Sequence, residues 1–465
     1  MVTRALAWLA ILASCGGGGS APTTTADARP APDAAPSPDA PPAPDARLLP
    51  DAAIQATCAE TRAAHLPRPP ASFTAIQIAT AASYPTQAAV LDVTGDGRED
   101  VVLVSFDPTK HRVGETRVFE NDGNATFVEI TATALPGGFV PDGARRVLVA
   151  DLDGDGKDDL YVAQTGFDQG CGQPGACPGA PDALLIQSGG VLANRAPTLL
   201  VPYELDGFTH AGAVGDVDGD GLNDIYQGRW PNADASAPVH LEMRRGASFQ
   251  AEDDRLPADV RNGSAAYSSA LFCDVTGDGR PELVLGATTG GATKLLMNDG
   301  HGHFTTAPAS ALPASATESA NDYVLDLACL DFDGDGRLDL AILSAGLFAN
   351  DGNRIVLLHN EGNGTFTDAH LAQSFAASGP SYFQLWARDF NCDGWTDLVV
   401  SASPQEYPHL FTNRGDGTFT ETVLPSSLAI SLLGTWIYPI DAENDGRVFL
   451  FAPRGPFEHF LLRPE

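Results

Sequence analysis

The sequence predicts an all-β fold of small antiparallel sheets repeated along the chain. Three observations carry that expectation. A nine-residue acidic loop recurs seven times, each copy is followed by the same plan of short apolar strands and Gly-rich turns, and the two chain ends look like parts of one sheet. The loops are DVTGDGRED (Asp92 to Asp100), DLDGDGKDD (Asp151 to Asp159), DVDGDGLND (Asp216 to Asp224), DVTGDGRPE (Asp274 to Glu282), DFDGDGRLD (Asp331 to Asp339), DFNCDGWTD (Asp389 to Asp397) and DAENDGRVF (Asp441 to Phe449). Their first residues are 59, 65, 58, 57, 58 and 52 apart, a period that marks a repeat architecture.

The strands follow from the fifth copy. Val324 to Leu330 is an apolar run ending in the loop, and Asp339-Leu-Ala-Ile-Leu-Ser continues beyond it. Arg354-Ile-Val-Leu-Leu-His is a third run, and Asn360-Glu-Gly-Asn-Gly-Thr-Phe-Thr turns the chain into a fourth. VFENDGNATFVEI from Val118, LLMNDGHGHFTT from Leu295 and HLFTNRGDGTFTETV from His409 repeat the turn. Helical periodicity is absent. Four short antiparallel strands per unit make a propeller blade, and seven units predict a seven-bladed β-propeller. The last unit ends after three strands, Thr435 to Ile440, Arg447 to Phe451 and His459 to Arg463, while Ser72 to Ile78 before the first loop resembles a fourth. The N-terminal strand is therefore expected to complete the last blade and cover its open edge.

The loops are candidate cation sites. Side-chain oxygens at positions 1, 3, 5 and 9, with Gly at position 6, suit a hard cation such as Ca²⁺. The candidate ligands are Asp92, Thr94, Asp96 and Asp100; Asp151, Asp153, Asp155 and Asp159; Asp216, Asp218, Asp220 and Asp224; Asp274, Thr276, Asp278 and Glu282; Asp331, Asp333, Asp335 and Asp339; and Asp389, Asn391, Asp393 and Asp397. Asp441, Glu443 and Asp445 form a weak seventh set that ends in Phe449. The second, third and fifth loops keep four acids and both glycines and should bind best, giving about five to six Ca²⁺ ions overall. An EF-hand is excluded, because position 12 is Leu103, Val162, Gln227, Leu285, Ile342 or Val400 in the first six copies and no helix flanks the loop.

These residues resemble the FG-GAP or VCBS repeats of integrin-α-like seven-bladed propellers, over residues 71–465. The resemblance implies a Ca²⁺ site between strands one and two of each blade. It adds the backbone carbonyl of position 7 as a ligand, at Arg98, Lys157, Leu222, Arg280, Arg337 and Trp395.

The net charge of −33 argues against a nucleic-acid partner, which needs basic patches. It fits bound cations, because carboxylates packed within a few ångströms repel one another unless a positive charge lies between them. Residues 1–15, MVTRALAWLAILASC, carry Arg4 before an apolar stretch, the pattern of a signal peptide. Leu12-Ala13-Ser14-Cys15 resembles a bacterial lipobox, which implies lipidation at Cys15 and anchorage in a membrane, by resemblance the outer one. Residues 16–70 are rich in Gly, Pro, Ala and Asp and read as a tether without a core. Cys171 and Cys177 flank GQPGA and are expected to pair, whereas Cys58, Cys273, Cys329 and Cys392 leave three pairings open.

Ligand binding is expected on the face opposite the acidic loops, where longer connections such as Gln164 to Asp182 and Gly228-Arg-Trp-Pro-Asn lie. Tyr84, Arg146, His210, Tyr267, Tyr323, Tyr382 and Trp436 precede the seven loops and could rim a central channel, or pack between blades. GxSxG, HExxH and P-loop motifs are absent. The expected function is a non-enzymatic, calcium-stabilised recognition module at the cell surface, binding a protein or glycan. The alternatives are a carbohydrate-active lyase or hydrolase with its site at the channel mouth, and a scaffold for an envelope complex.

Overall fold

The computed structural model describes residues 73–79, 85–105, 114–166, 179–205, 207–230, 239–261, 266–288, 291–317, 322–346, 353–369, 373–375, 382–402, 408–423, 437–454 and 458–464. The leader, the tether, Cys58 and the Cys171 and Cys177 pair lie outside them. After β1 (Phe73–Ala79), the first blade is β2 (Pro85–Leu91), β3 (Asp100–Ser105), β4 (Glu115–Asn121) and β5 (Phe127–Glu129). The second is β6 (Ala144–Ala150), β7 (Asp159–Gln164), β8 (Ala183–Ser188) and β9 (Val191–Asn194). Then comes β10 (Leu200–Val201), followed by a third blade of β11 (Thr209–Gly215), β12 (Asp224–Arg229), β13 (His240–Arg245) and β14 (Ser248–Ala251). The fourth is β15 (Tyr267–Cys273), β16 (Glu282–Ala287), β17 (Lys294–Asn298) and β18 (Phe304–Thr306). The fifth is β19 (Asp322–Leu330), β20 (Asp339–Gly346), β21 (Asn353–Gly362) and β22 (Thr365–Asp368), with β23 (Gln373–Phe375) also on β21. The sixth is β24 (Tyr382–Arg388), β25 (Asp397–Ala402), β26 (His409–Asn413) and β27 (Phe419–Val423).

Each of these six blades is built on four antiparallel strands consecutive in the chain, where the sequence led us to expect seven blades. The last acidic loop sits instead in a composite sheet. There β28 (Tyr438–Ile440), β29 (Phe449–Arg454) and β30 (Glu458–Pro464) are joined by β1, which pairs antiparallel with β30 from Phe73↔Pro464 to Ala79↔His459. The fold is an all-β propeller of four-stranded antiparallel blades.

The first strands of neighbouring blades lie side by side, β2 on β6, β6 on β11, β11 on β15, β15 on β19 and β19 on β24, with β28 on β2. A blade is therefore covered on both faces, so its middle strands read as continuous apolar runs rather than alternating ones. All six residues of β7, β12 and β16 are buried. Each apolar cluster draws on two sheets. Leu160, Val162 and Leu185 meet Val102, Val104 and Val118, and Ile437, Val448 and Leu450 meet Phe390, Val399 and Leu410. Burying one such side chain contributes about 1.5–3 kcal/mol, so the blade interfaces supply most of the apolar driving force.

Two features depart from the sequence reading, and one of its open cysteine pairings is realised. The two-residue strand β10 adds to β14 in parallel, and β23 adds to β21. Four-residue helices follow the outer strands of the first four blades, at Thr131–Ala134, Ala196–Leu199, Ala258–Arg261 and Ala314–Thr317. One turn of helix is shorter than the window in which an apolar face becomes visible. Cys273 is bonded to Cys329, which joins the first strands of the fourth and fifth blades. Cys392 is also disulfide-bonded.

Removing residues 1–79 leaves β30 as an open edge. The truncated protein is expected to melt several degrees lower than the full chain and to self-associate. Calorimetry and light scattering check both; unchanged melting would show that β1 does not close this sheet.

Candidate metal centre

The acidic loop is a knot of backbone hydrogen bonds tied to two carboxylates. In the second blade Asp151 Oδ1 accepts from Gly154 N at 2.6 Å, and Oδ2 accepts from Gly156 N at 2.8 Å. Asp155 Oδ1 accepts from Lys157 N at 3.0 Å. The same arrangement holds around Asp92, Asp216, Asp274 and Asp331. The curl requires positive φ at positions 4 and 6. Cys392 and Asn444 adopt φ of 57° and 52° at position 4, where the other five loops place glycine. A left-handed backbone costs a non-glycine residue about 1–2 kcal/mol, so these two loops carry strain that the others avoid.

The ninth residue does the most. Asp100, Asp159, Asp224, Glu282, Asp339 and Asp397 are fully buried. One oxygen accepts from the backbone N–H of position 2, at 2.8–3.1 Å from Val93, Leu152, Val217, Val275, Phe332 and Phe390. Those six residues are themselves apolar pegs in the core. The other oxygen accepts from strand three of the same blade: Asn121 N at 2.8 Å, Gln187 N at 2.6 Å, Arg244 N at 2.7 Å, Asn360 N at 2.8 Å and Asn413 N at 2.7 Å. Glu282, one methylene longer, misses this second partner, and its Oε1 is buried without one.

Burial raises these carboxyls, to about 6 for Asp100, about 7 for Asp159 and Asp339, and about 8 for Asp224, Glu282 and Asp397. Neighbouring acids of the same loop push in the same direction, while the backbone N–H groups oppose it. Desolvation and like charge together create a demand for a proton or a cation.

The donor sets fit a divalent cation where carboxylates converge. Among the described residues, ligand atoms lie within 4.8 Å of one another for Asp151, Asp153 and Asp159, for Asp216, Asp218 and Asp224, for Asp331, Asp333 and Asp335, and for Asp333, Asp339 and His359. These are the second, third and fifth loops. In the first and fourth loops Thr94 and Thr276 turn their hydroxyls toward Asp92 and Asp274, at 3.5 and 3.4 Å. In the sixth, the Asn391 side chain bonds Asp393 through both its oxygen and its nitrogen. Position 7 adds a competing cation in places, since Arg98 pairs with Asp96 and Arg337 with Asp335. Arg245, from strand three, holds Asp218 at 2.8 Å. In the seventh loop Arg447 pairs with Glu443 and, at 2.7 Å, with Asp445, so a guanidinium already offsets part of that set's charge.

Sequence reasoning missed the ties between blades. The Asn that opens the NDG-type turn also donates across the interface to the position-2 carbonyl of the preceding loop: Asn298 to Val217 at 2.8 Å, Asn360 to Val275 at 2.7 Å and Asn413 to Phe332 at 2.7 Å. Gln187 does the same to Val93 at 2.8 Å. The signal was present in the repeated Asn, which a turn alone would also explain.

The proposed rim is divided. Tyr84 and Trp436 lie outside the described residues, as does the side chain of Tyr382. The first strands carry a bulge at the same place ahead of the loop, and the others stand five, six, seven and eight residues before their loops, so they take different register positions. Arg146 turns inward to Asp326 of the fifth blade at 3.1 Å, both side chains being buried. The Trp230 ring stacks on His210 at 3.7 Å and meets Tyr323 edge-on at 6.1 Å, while its Nε1 donates to the Tyr267 carbonyl at 2.8 Å. His210, Tyr267 and Tyr323 are buried. Burial, with Arg145 and Arg146 nearby, holds His210 well below the usual imidazole range. A cavity near the axis is lined by Gln87, Arg146, Asp326, Gln384, Trp386 and Tyr438, among others.

Two outcomes follow. With excess chelator present, the raised carboxyls favour the protonated native state. Their contribution is complete below about pH 4, the unfolded range, and is lost as pH climbs through 6 to 8. The metal-free melting temperature should therefore fall between pH 5.5 and 8.5; a flat profile would contradict the buried-carboxyl account. Asn360→Ala should destabilise more than Asn121→Ala, by on the order of 1 kcal/mol in urea unfolding, because Asn121 Nδ2 has no partner to lose. Equal losses would show that the interface bonds carry no weight.

The family model for the FG-GAP-like repeat matches residues 92–162, 274–342, 331–400 and 389–450. Together these span more than half of the 465 residues. Each match begins at an acidic loop, and the third loop falls outside all of them. No curated protein matches the sequence. Among solved structures, the chain is similar to an Agrocybe aegerita protein described by its specific recognition of non-reducing terminal N-acetylglucosamine. That pair shares 18% identity over 76% of this chain and 82% of the other, with a TM-score of 0.48. It is also similar to BBS1N, solved in complex with ARL6DN, at 10% identity over 84% and 96% with a TM-score of 0.48. The V. cholerae biofilm matrix protein Bap1 matches at 13% identity over 86% and 69%, with a TM-score of 0.36. On the extent of the repeat match, with acidic loops and four-stranded blades in register with it, the chain belongs to the FG-GAP-like repeat family.

Proposed function

We propose that this protein is a calcium-stabilised recognition module whose composite last sheet acts as a seventh blade and closes the ring. The single observation behind this reading is the buried ninth carboxylate, which fastens the loop to strand three in five of the blades. Groups so committed to the backbone act structurally. Ca²⁺ held by the acidic sets, with the position-7 carbonyls of Arg98, Lys157, Leu222, Arg280, Arg337 and Trp395 as further ligands, would supply the positive charge these buried groups need. Recognition of a protein or glycan is then assigned to the opposite face, in the connections of the second and third blades. The leader with Cys15 and the 16–70 tether support an exported, lipid-anchored protein displayed at the outer membrane or cell surface.

The alternative of a carbohydrate-active enzyme calls for an acid beside His210 or Tyr267 at the channel mouth. The charged groups that act on His210 are Arg145 and Arg146. The second blade meets the third at a different acidic group, where Asp182 accepts from Tyr161 and Thr209 at 2.8 and 2.9 Å. Close by on the third blade, His240 contacts Asp253 at 2.9 Å and Glu242 is pushed to about 7 by burial. That cluster is the feature that favours the enzyme reading.

A glycan and surface-protein binding screen, run with calcium and with chelator, tests the proposal. Binding should require calcium and should disappear when residues 167–178 and 231–238 are replaced by short Gly-Ser links, with the melting temperature retained. Binding that survives both replacements, or turnover of a glycan that is lost in Glu242→Gln, would overturn it.

A further inference from the structure

At one strand-three position the fifth blade carries a side chain that its sisters lack. The strand-three residue just before the one that bonds the ninth carboxylate is Glu120, Ile186, Met243 and Thr412 in the first, second, third and sixth blades, and Met297 at the matching place in the fourth. In the fifth blade it is His359, which precedes Asn360. The imidazole faces into the acidic loop. Its Nδ1 is 3.1 Å from Asp333 Oδ2 and 3.6 Å from Asp339 Oδ1. That nitrogen is closed off from solvent and makes no hydrogen bond. The Phe332 ring meets the imidazole edge-on, with centroids 6.1 Å apart and planes at 81°, which limits how it can turn.

We propose that Asp333, Asp339 and His359 form a mixed nitrogen–oxygen site that takes a transition-metal dication of the Zn²⁺ class in preference to Ca²⁺. The proposal shares carboxylates with the calcium reading and rests on that reading only for the loop, not for the ion. The imidazole Nδ1 lies 3.1 and 3.6 Å from the two carboxylate oxygens, spacings that one ion of about 2.0–2.2 Å bond length can span. Imidazole nitrogen suits zinc and its neighbours, whereas calcium takes oxygen almost exclusively. Metal on Nδ1 places the remaining ring proton on Nε2. Asp335 Oδ2, which pairs with Arg337, lies 4.0 Å from Nε2 on the outer side of the ring. Arg337, 3.5 Å from Nε2, is the competing neighbour without metal. The other loops, lacking an imidazole, keep a set of hard oxygen donors.

The test is Zn²⁺ titration of the full chain by calorimetry in millimolar Ca²⁺, for the native protein and for His359→Leu and His359→Gln. One zinc ion is expected per chain, with affinity reduced at least about tenfold, or 1.4 kcal/mol, in both variants. Calcium-dependent melting should be unchanged in at least one of them, which also controls for folding. With Co²⁺ as the probe, the visible bands of a nitrogen-bound ion should appear in the native protein and vanish in the variants. Zinc affinity equal in native and variant chains, zinc displaced by equimolar calcium, or zinc lost instead in a His301→Ala, His303→Ala double variant would each overturn the proposal. If calcium has no effect on melting while zinc binding still depends on His359, the calcium reading fails and this one stands.

Discussion

One constraint organises the blades: a carboxylate carried into the core at the start of strand two must be held by donors and relieved of its charge. It meets the first need with two backbone N–H groups, one from the loop and one from strand three in five of the blades. This pins the loop, the first two strands and the third strand to a single atom group. A position-2 apolar residue is thereby fixed in the interface with the next blade, and its carbonyl accepts from the neighbour's Asn or Gln. Blade-internal and blade-to-blade order therefore share one hinge point. Glu282 shows the tolerance of the device, since a single added methylene leaves one of its oxygens unpartnered in the core.

The second need is met in more than one way. A proton serves where burial pushes the carboxyl to about 7 or 8. A cation serves better at neutral pH, because it also satisfies the exposed acids of positions 3 and 5. A guanidinium of the chain itself is the third solution. In the composite sheet Phe449 replaces the ninth acid and Arg447 pairs with both Glu443 and Asp445. Near the axis Arg146 and Asp326 make a buried pair between the second and fifth blades, with Asp326 also accepting from Leu385 N at 2.9 Å. Removing one member of such a pair strands the other charge, so this contact specifies which blades face each other as much as it stabilises them.

Much of the fold was legible because each unit is local. The loop packs its ligands into nine consecutive residues, and the strands on either side of it are fixed by apolar runs and Gly-rich turns. The pairing of the N-terminal strand with the C-terminal sheet was legible because a three-stranded remainder needs an edge partner. What stayed hidden depends on register and distance. Arg146, His210, Tyr267 and Tyr323 stand five, six, seven and eight residues before their loops, so a bulge at one shared place in the first strands leaves them at inequivalent positions. The Cys273–Cys329 bond was one of three open pairings. His359 read as an ordinary strand residue, because nothing in the sequence tells that strand three passes beside the loop of strand one. The outer additions β10 and β23 are two and three residues long, too short for any periodic signal.

The central claim is that buried, partly protonated carboxyls become ionised when a cation enters the loops. Proton release on calcium binding tests it most directly, measured by calorimetry at pH 7 in buffers of different ionisation enthalpy. The account requires net proton release at pH 7, shrinking toward zero at pH 9, as metal replaces hydrogen on groups such as Asp224 and Asp397. Calcium binding with no buffer dependence at pH 7, or with proton uptake, would contradict it.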